Sequence, residues 1–158
     1  MLVGLVMGSP NDWDYMQPAH SILSAAKVPT ERMVVSAHRT PNLLFQYAEN
    51  ANGRLDAIIA GAGGAAHLPG MLASKTLVPV LGVPIPSAHL NGVDSLLSIS
   101  QMPDGVPVAT FGIGHTGAGN AALFVLRMLA RRDERVMDFL RSRNVQMAEK
   151  VLKSKPWE

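Results

Sequence analysis

LDAIIAGAGGAAHLPGMLASK, residues 55–75, opens with six largely apolar residues (Leu55–Ala60), passes through a glycine-rich turn and ends in a short helical segment near Leu68–Lys75. That order is one β–α unit, with polar and flexible residues gathered where the strand ends. The same order recurs on both sides. Upstream, Leu2–Met7 (LVGLVM) runs into Gly8. Trp13–Lys27 follows, with Trp13, Met16, Ile22, Leu23 and Ala26 on one helical side. Pro18 inside that segment costs a backbone hydrogen bond. Arg32–Ala37 (RMVVSA) is the second strand. Thr40 and Pro41 then suit the N-cap and first position of a helix striped by Leu44, Tyr47, Ala48 and Ala51. Downstream, Val78–Val83 (VPVLGV) is the fourth strand, Asn91–Gln101 a helix and Val106–Phe111 (VPVATF) the fifth strand. Ala118–Ala130 and Glu134–Leu152 are the last two helices.

Strands alternating with helices imply a parallel sheet covered on both faces. Right-handed crossovers leave few topologies. The simplest is a flavodoxin-like three-layer α/β/α domain with strand order 2-1-3-4-5. Residues 1–158 carry no internal repeat and no linker, so they read as one domain. The final helix has no strand after it and is expected to pack on a neighbouring subunit.

Apolar residues make up 47% of the chain and charged residues 16%, against about 25% charged in average soluble chains. Disorder is excluded on both counts. Cysteine is absent, which removes thiolate metal sites, a cysteine nucleophile and disulfides, and fits a reducing, cytoplasmic setting. The longest charge-free run, Gly105–Leu126, carries five glycines, Pro107, His115 and Asn120, so it reads poorly as a membrane span. Residues 127–158 have a net charge of +4, but the charges are mixed in sign and spread around a helix, which speaks for a solvated face and against nucleic acid. Residues 57–126 hold only Lys75, Asp94 and Asp104 as charges. A 16.9 kDa monomer exposes roughly 7,700 Å², and three charges cover little of it. Burial between subunits is the expected explanation.

In sheets of this kind ligands bind at the carboxyl ends of the strands. Those ends read Gly8-Ser9-Pro10-Asn11-Asp12-Trp13, Ser36-Ala37-His38-Arg39-Thr40-Pro41 and Gly61-Ala62-Gly63-Gly64-Ala65-Ala66-His67-Leu68-Pro69-Gly70. Ser9 and Asp12 suit a helix N-cap, and the same loop offers backbone N–H groups to an anion. His38 alone would be an ordinary surface histidine. With Arg39 beside it, on a strand-end loop next to two other polar strand ends, it suits an anionic ligand. Gly61–Ala66 matches G-x-G-x-x-A, but no Asp or Glu occurs between Asp56 and Asp94 to hold a ribose, so the dinucleotide reading fails. The glycines either make a tight turn or let backbone approach something small. The five histidines (20, 38, 67, 89 and 115) lie at least 18 positions apart, so no local metal-ligand pair exists. A nucleophile elbow and a phosphate-cradling Walker loop are both missing. A phosphoacceptor receiver would need an acid where Gly61 stands. His20 reads as structural or exposed.

Three strings, Met7-Gly8-Ser9 with Asp12-Trp13, Ser36–Pro41, and Ala60–Met71, closely resemble the N5-carboxyaminoimidazole ribonucleotide mutase family of purine synthesis. The similarity continues through Lys75–Pro84, Gly92–Leu96, Gln101–Pro103 and Asn120–Ala122, so it spans nearly the whole chain. The resemblance implies a flavodoxin-like subunit in a cytoplasmic homo-octamer, acting on a small ribonucleotide without metal or cofactor. It implies substrate binding at Ser9, Asp12, Ser36 and Arg39, chemistry at His38, and a migrating carboxylate near Gly63, Gly64, Ala65 and His67. Pro10-Asn11, Pro18 and His115 depart from the family pattern. Two other readings stand beside it: a relative that carboxylates the unsubstituted aminoimidazole ribonucleotide directly with CO2, and a non-catalytic nucleotide-binding module on the same fold.

Overall fold

A computed structural model describes residues 1–155. Its elements are β1 (Val3–Met7), α1 (Trp13–Ala25), β2 (Thr30–Val34), α2 (Pro41–Ala51), β3 (Ala57–Gly63), α3 (Leu68–Ala73), β4 (Val80–Ile85), α4 (Val93–Ser100), β5 (Ala109–Thr110), α5 (Gly114–Leu129) and α6 (Glu134–Leu152). All four strand pairings are parallel and the sheet order is β2-β1-β3-β4-β5. The three-layer flavodoxin-like arrangement is therefore as expected. Alternate strand residues feed two cores. Val3, Leu5 and Ile59 face α1 and α5, while Val6, Ile58 and Ala60 face α2 and α3.

The strands begin and end elsewhere than the apolar runs suggest. β2 occupies Thr30–Val34, not Arg32–Ala37, because its register pairs Thr30 with Val3 and Val34 with Met7. Ser36 has already left the sheet: its N–H donates to Thr40 Oγ1 and its carbonyl accepts from the Thr40 N–H. β3 occupies Ala57–Gly63, not Leu55–Ala60. Its start is delayed by Asp56, whose carboxylate accepts the Leu2 N–H, and its end runs on through the glycines. A β-carbon on Gly61 would lie 2.7 Å from Met16 Sδ. Only a bare backbone passes beneath that side chain.

Similar reasons move the other boundaries. β4 occupies Val80–Ile85, not Val78–Val83, since the Val78 N–H is tied into a turn by Thr76 Oγ1. β5 shrinks from Val106–Phe111 to Ala109–Thr110 at the sheet edge, where Pro107 has no N–H to donate. α4 starts at Val93 because Asn91 and Gly92 before it have φ of 50° and 92°. α1 stops at Ala25 and α3 at Ala73, while α5 starts four residues early, at Gly114. α1 runs through Pro18 unbroken, and α6 matches its expected span. Thr40 does occupy the α2 N-cap, but its hydroxyl caps nothing and serves Ser36 instead. His20 is structural, bonded to Thr30 Oγ1 and tilted against Trp13.

Val136 and Leu140 bury the start of α6, and most of the helix beyond Leu140 is exposed. Among the described residues no helix is long and apolar enough to cross a membrane. Where α5 begins, a β-carbon on Gly117 would fall on the carbonyl oxygen of Gly112, which is backbone and cannot yield. Gly117→Ala is therefore expected to destabilise the fold by ~1–3 kcal/mol or more, read as a lower urea midpoint at unchanged slope.

Candidate active site

The parallel sheet sets the carboxyl ends of β1, β2 and β3 side by side, and a cleft of about 420 Å³ opens there. That volume suits a small ligand. Ser9, Asp12, Ser36, His38, Arg39, Gly63, Ala65 and His67 all line it. Of the residues singled out from sequence, Gly64 alone does not.

The first wall is a single 3-10 turn, Pro10–Asp12, leading into α1. It is closed by a reciprocal cap. The Ser9 N–H donates to Asp12 Oδ2 at 2.9 Å, and the Asn11 N–H donates to Ser9 Oγ at 3.3 Å. The capping reading of these two residues thus holds, and the same bonds fix both side chains at the cleft. Burial pushes the Asp12 carboxyl above its ordinary value, against the opposing pull of the Ser9 and Gly8 backbone.

The second wall is the turn between β2 and α2. Ser36 Oγ accepts from the backbone N–H of Arg39 and from its Nε, both at 3.2 Å. Ser36 thereby aims the guanidinium while its own hydroxyl proton stays available. Among the described residues no carboxylate pairs with Arg39. A guanidinium without a counter-charge, its terminal N–H groups free, is a ready site for an anion such as phosphate.

The third wall is the glycine-rich loop between β3 and α3. His67, at the α3 N-cap position, meets His38 there: Nε2 of His38 lies 2.8 Å from Nδ1 of His67, with the rings edge to face at 82°. A hydrogen bond between two ring nitrogens takes an N–H on one and a lone pair on the other, so the tautomers of the two rings are coupled. The loop is poorer in donors than its composition suggests. The Ala66 N–H is spent on the Gly64 carbonyl, the His67 N–H on the Ala65 carbonyl, and the Gly64 N–H on Ser95 Oγ. Among the described residues, only the Ala65 N–H of the Gly64–His67 stretch has no hydrogen-bond partner. Ser95 escaped the sequence reading, because nothing local links it to a glycine 31 positions away. Among the described residues no three His, Asp or Glu side chains gather to hold a metal ion.

A family model described as AIR carboxylase matches residues 2–150. The chain is 55% identical to an N5-carboxyaminoimidazole ribonucleotide mutase of Bacillus subtilis, over 97% of this chain and 95% of that one. It is 56% identical to the enzyme of that name from Pseudomonas aeruginosa, over 96% and 93%. A crystal structure of Treponema denticola PurE superposes with a TM-score of 0.86 at 25% identity, covering 96% of this chain and 94% of that one.

The burial of Asp12 fixes a sign. Its folded value is raised, so between 3.8 and that value the folded state binds more protons than the unfolded state. Stability must then fall as pH rises through that interval. Carbon-13 NMR should place the Asp12 carboxyl titration above 3.8, and Asp12→Asn should remove this component of the pH dependence of chemical denaturation. A titration below 3.8 in the free protein would show that the backbone bonds outweigh burial.

Proposed function

This chain belongs to the AIR carboxylase family, and from that premise we propose that it is a mutase converting N5-carboxyaminoimidazole ribonucleotide to 4-carboxy-5-aminoimidazole ribonucleotide in purine biosynthesis. The observation that carries this reading is the uncountered Arg39 guanidinium beside His38 and His67 in one cleft. Arg39 and Ser9 hold the 5′-phosphate, since a planar fork can bond phosphate oxygens in pairs. Asp12 accepts hydrogen bonds from the ribose hydroxyls, which relieves its ionised carboxylate. The base then points across the cleft toward His38 and the Gly63–Ala65 loop.

The reaction moves a carboxyl group from the exocyclic nitrogen to ring carbon C-4. Protonation of the nitrogen lets the carbamate N–C bond break, releasing CO2 and an electron-rich aminoimidazole. C-4 attacks the same CO2, and loss of the C-4 proton restores aromaticity. One proton is taken up and one is given back, so a single group can serve both transfers. Imidazole does so near neutral pH. Ser9 is too weak a base, Asp12 is occupied by ribose, and Arg39 does not deprotonate. His38 is the proton shuttle. His67 holds it in orientation and lies near the carboxylate, for which Ala65 provides an N–H donor.

The subunits assemble as an octamer in the cytoplasm. Three observations support assembly. The charge-poor stretch exposes Leu77, Leu90, Val93, Leu97 and Phe124, with Leu77 at 96%. The second half of α6 exposes Val145, Met147, Val151 and Leu152. The isolated chain exposes 8841 Å², more than the roughly 7,700 Å² of a compact monomer of this mass.

His38→Asn keeps the size of the side chain but cannot cycle a proton. It should lose at least ~10⁴-fold in turnover, the upper end for general acid–base catalysis, while binding product as wild type does. His67→Asn should retain measurable turnover. Both are assayed without ATP, metal or bicarbonate. Near-normal turnover in His38→Asn would overturn the shuttle assignment. A wild type that converts nucleotide only with added bicarbonate would make this a direct carboxylase, and one that converts nothing a binding module. Light scattering should give about 135 kDa, eight chains of 16.9 kDa; a 17 kDa species alone would refute the octamer.

A further inference from the structure

Ser95 is polar, fully buried, and used by none of the chemistry above. It sits in the first turn of α4. Its hydroxyl donates to the Ile85 carbonyl at 2.7 Å and accepts from the Gly64 N–H at 2.8 Å. The two groups it joins have a definite relation. In the β3–β4 ladder the Ile58 N–H donates to the Pro79 carbonyl, and the register carries on to Gly63 opposite Ile85. Counting on by twos, the next rung would run from the Gly64 N–H to the Ile85 carbonyl. The Ser95 hydroxyl lies between those two atoms and replaces that rung with a two-bond bridge. The sheet is thereby stopped at Gly63, and Gly64 turns away with φ of 66°. A β-carbon on Gly64 would meet nothing within 4 Å, so the backbone conformation and not crowding asks for glycine there.

The bridge is itself held. Asp94, the residue before Ser95, accepts from Ser87 Oγ at 2.7 Å, and Ser87 Oγ accepts in turn from the Gly92 N–H. This pins the first turn of α4 to the loop after β4. The consequence falls on Ala65, which lines the cleft just beyond the point where the ladder ends and whose N–H has no hydrogen-bond partner among the described residues. We infer that Ser95 is a positioning residue: by displacing the last β3–β4 rung it holds the Gly64–Ala65 corner open, so that CO2 freed in the cleft is kept at the Ala65 N–H until C-4 captures it. This rests on the mutase reading and adds to it a residue that touches neither substrate nor His38.

Without the hydroxyl, Gly64 can bond directly to Ile85 and the ladder closes by one rung, drawing Ala65 out of place. Misplacement on this scale costs ~10²-fold in rate. The nucleotide contacts at Ser9, Asp12 and Arg39 lie on the other two walls and should be spared. The decisive readout is the partition of the freed CO2. After subtraction of uncatalysed carbamate breakdown, each turnover ends either as the C-4 carboxylated product or as decarboxylated aminoimidazole ribonucleotide with CO2 lost to solvent.

The experiment compares wild type, Ser95→Ala and Ser95→Cys, whose thiol is a weak donor and acceptor. Ser95→Ala should lower kcat by ~10–10²-fold, leave the affinity for aminoimidazole ribonucleotide, which lacks the carboxylate, within about threefold by calorimetry, and raise the decarboxylated fraction several-fold. Ser95→Cys should fall between, and carries the test if Ser95→Ala fails to fold. A lowered kcat with an unchanged decarboxylated fraction would reduce Ser95 to a general structural role and overturn the inference, as would an unchanged kcat. Inactive wild type would overturn the mutase reading beneath it, which separates the two failures.

Discussion

The rim of this protein depends on β3 being able to run past its apolar core as almost naked backbone. Gly61 passes under Met16, and Gly63 lies against Ile85, where a β-carbon would sit 3.4 Å from the Ile85 carbonyl oxygen. A side chain at Gly61 would crowd Met16 of α1, while one at Gly63 would meet Ile85 at ordinary contact distance. With none, β3 keeps its register with β4 to Gly63 and delivers the loop at the level of the β1 and β2 ends. His67 then reaches His38, 29 residues earlier in sequence, at 2.8 Å. A shorter β3 would leave the two rings on different levels of the rim.

Around that constraint the polar groups are set by short bonds to near neighbours. Asp12 and Ser9 bind each other, Ser36 aims Arg39, and Thr40 ties off Ser36. Each pair orients a side chain before any ligand arrives, which lowers the ordering cost of binding. What is left uncommitted is small and specific: the outer N–H groups of Arg39, the Ser36 hydroxyl proton, the Ala65 N–H and the facing imidazoles. An anion at one end and a proton carrier at the other is the polarity a nucleotide rearrangement requires.

Much of this was legible in the residues. The alternation of apolar runs with amphipathic segments yields the sheet order, and every residue lining the cleft falls in one of the three strand-end strings, with Gly64 alone of the site candidates lying outside the lining. Boundaries were less legible, because apolar runs mark where side chains are buried and not where backbones pair. β3 continues through glycines that look like a turn, and β2 stops before Val35 although Val35 is buried. Which N–H groups of the loop stay free is illegible for a related reason. Composition counts amides, but only the fold says which are spent. The Ser95 bridge joins positions 64, 85 and 95 through packing of α4 on the sheet, and no local pattern announces such a contact.

The direction in which the nucleotide lies in the cleft is read from a crystal structure with the 4-carboxy product bound. The phosphate should lie within hydrogen-bond reach of Arg39 and Ser9, the ribose hydroxyls on Asp12, the C-4 carboxylate at the Ala65 N–H, and His38 within reach of C-4. A nucleotide bound the other way round, with its phosphate against the Gly63–Ala65 loop and its base at Arg39, would rule out Arg39 as the phosphate site and His38 as the proton shuttle.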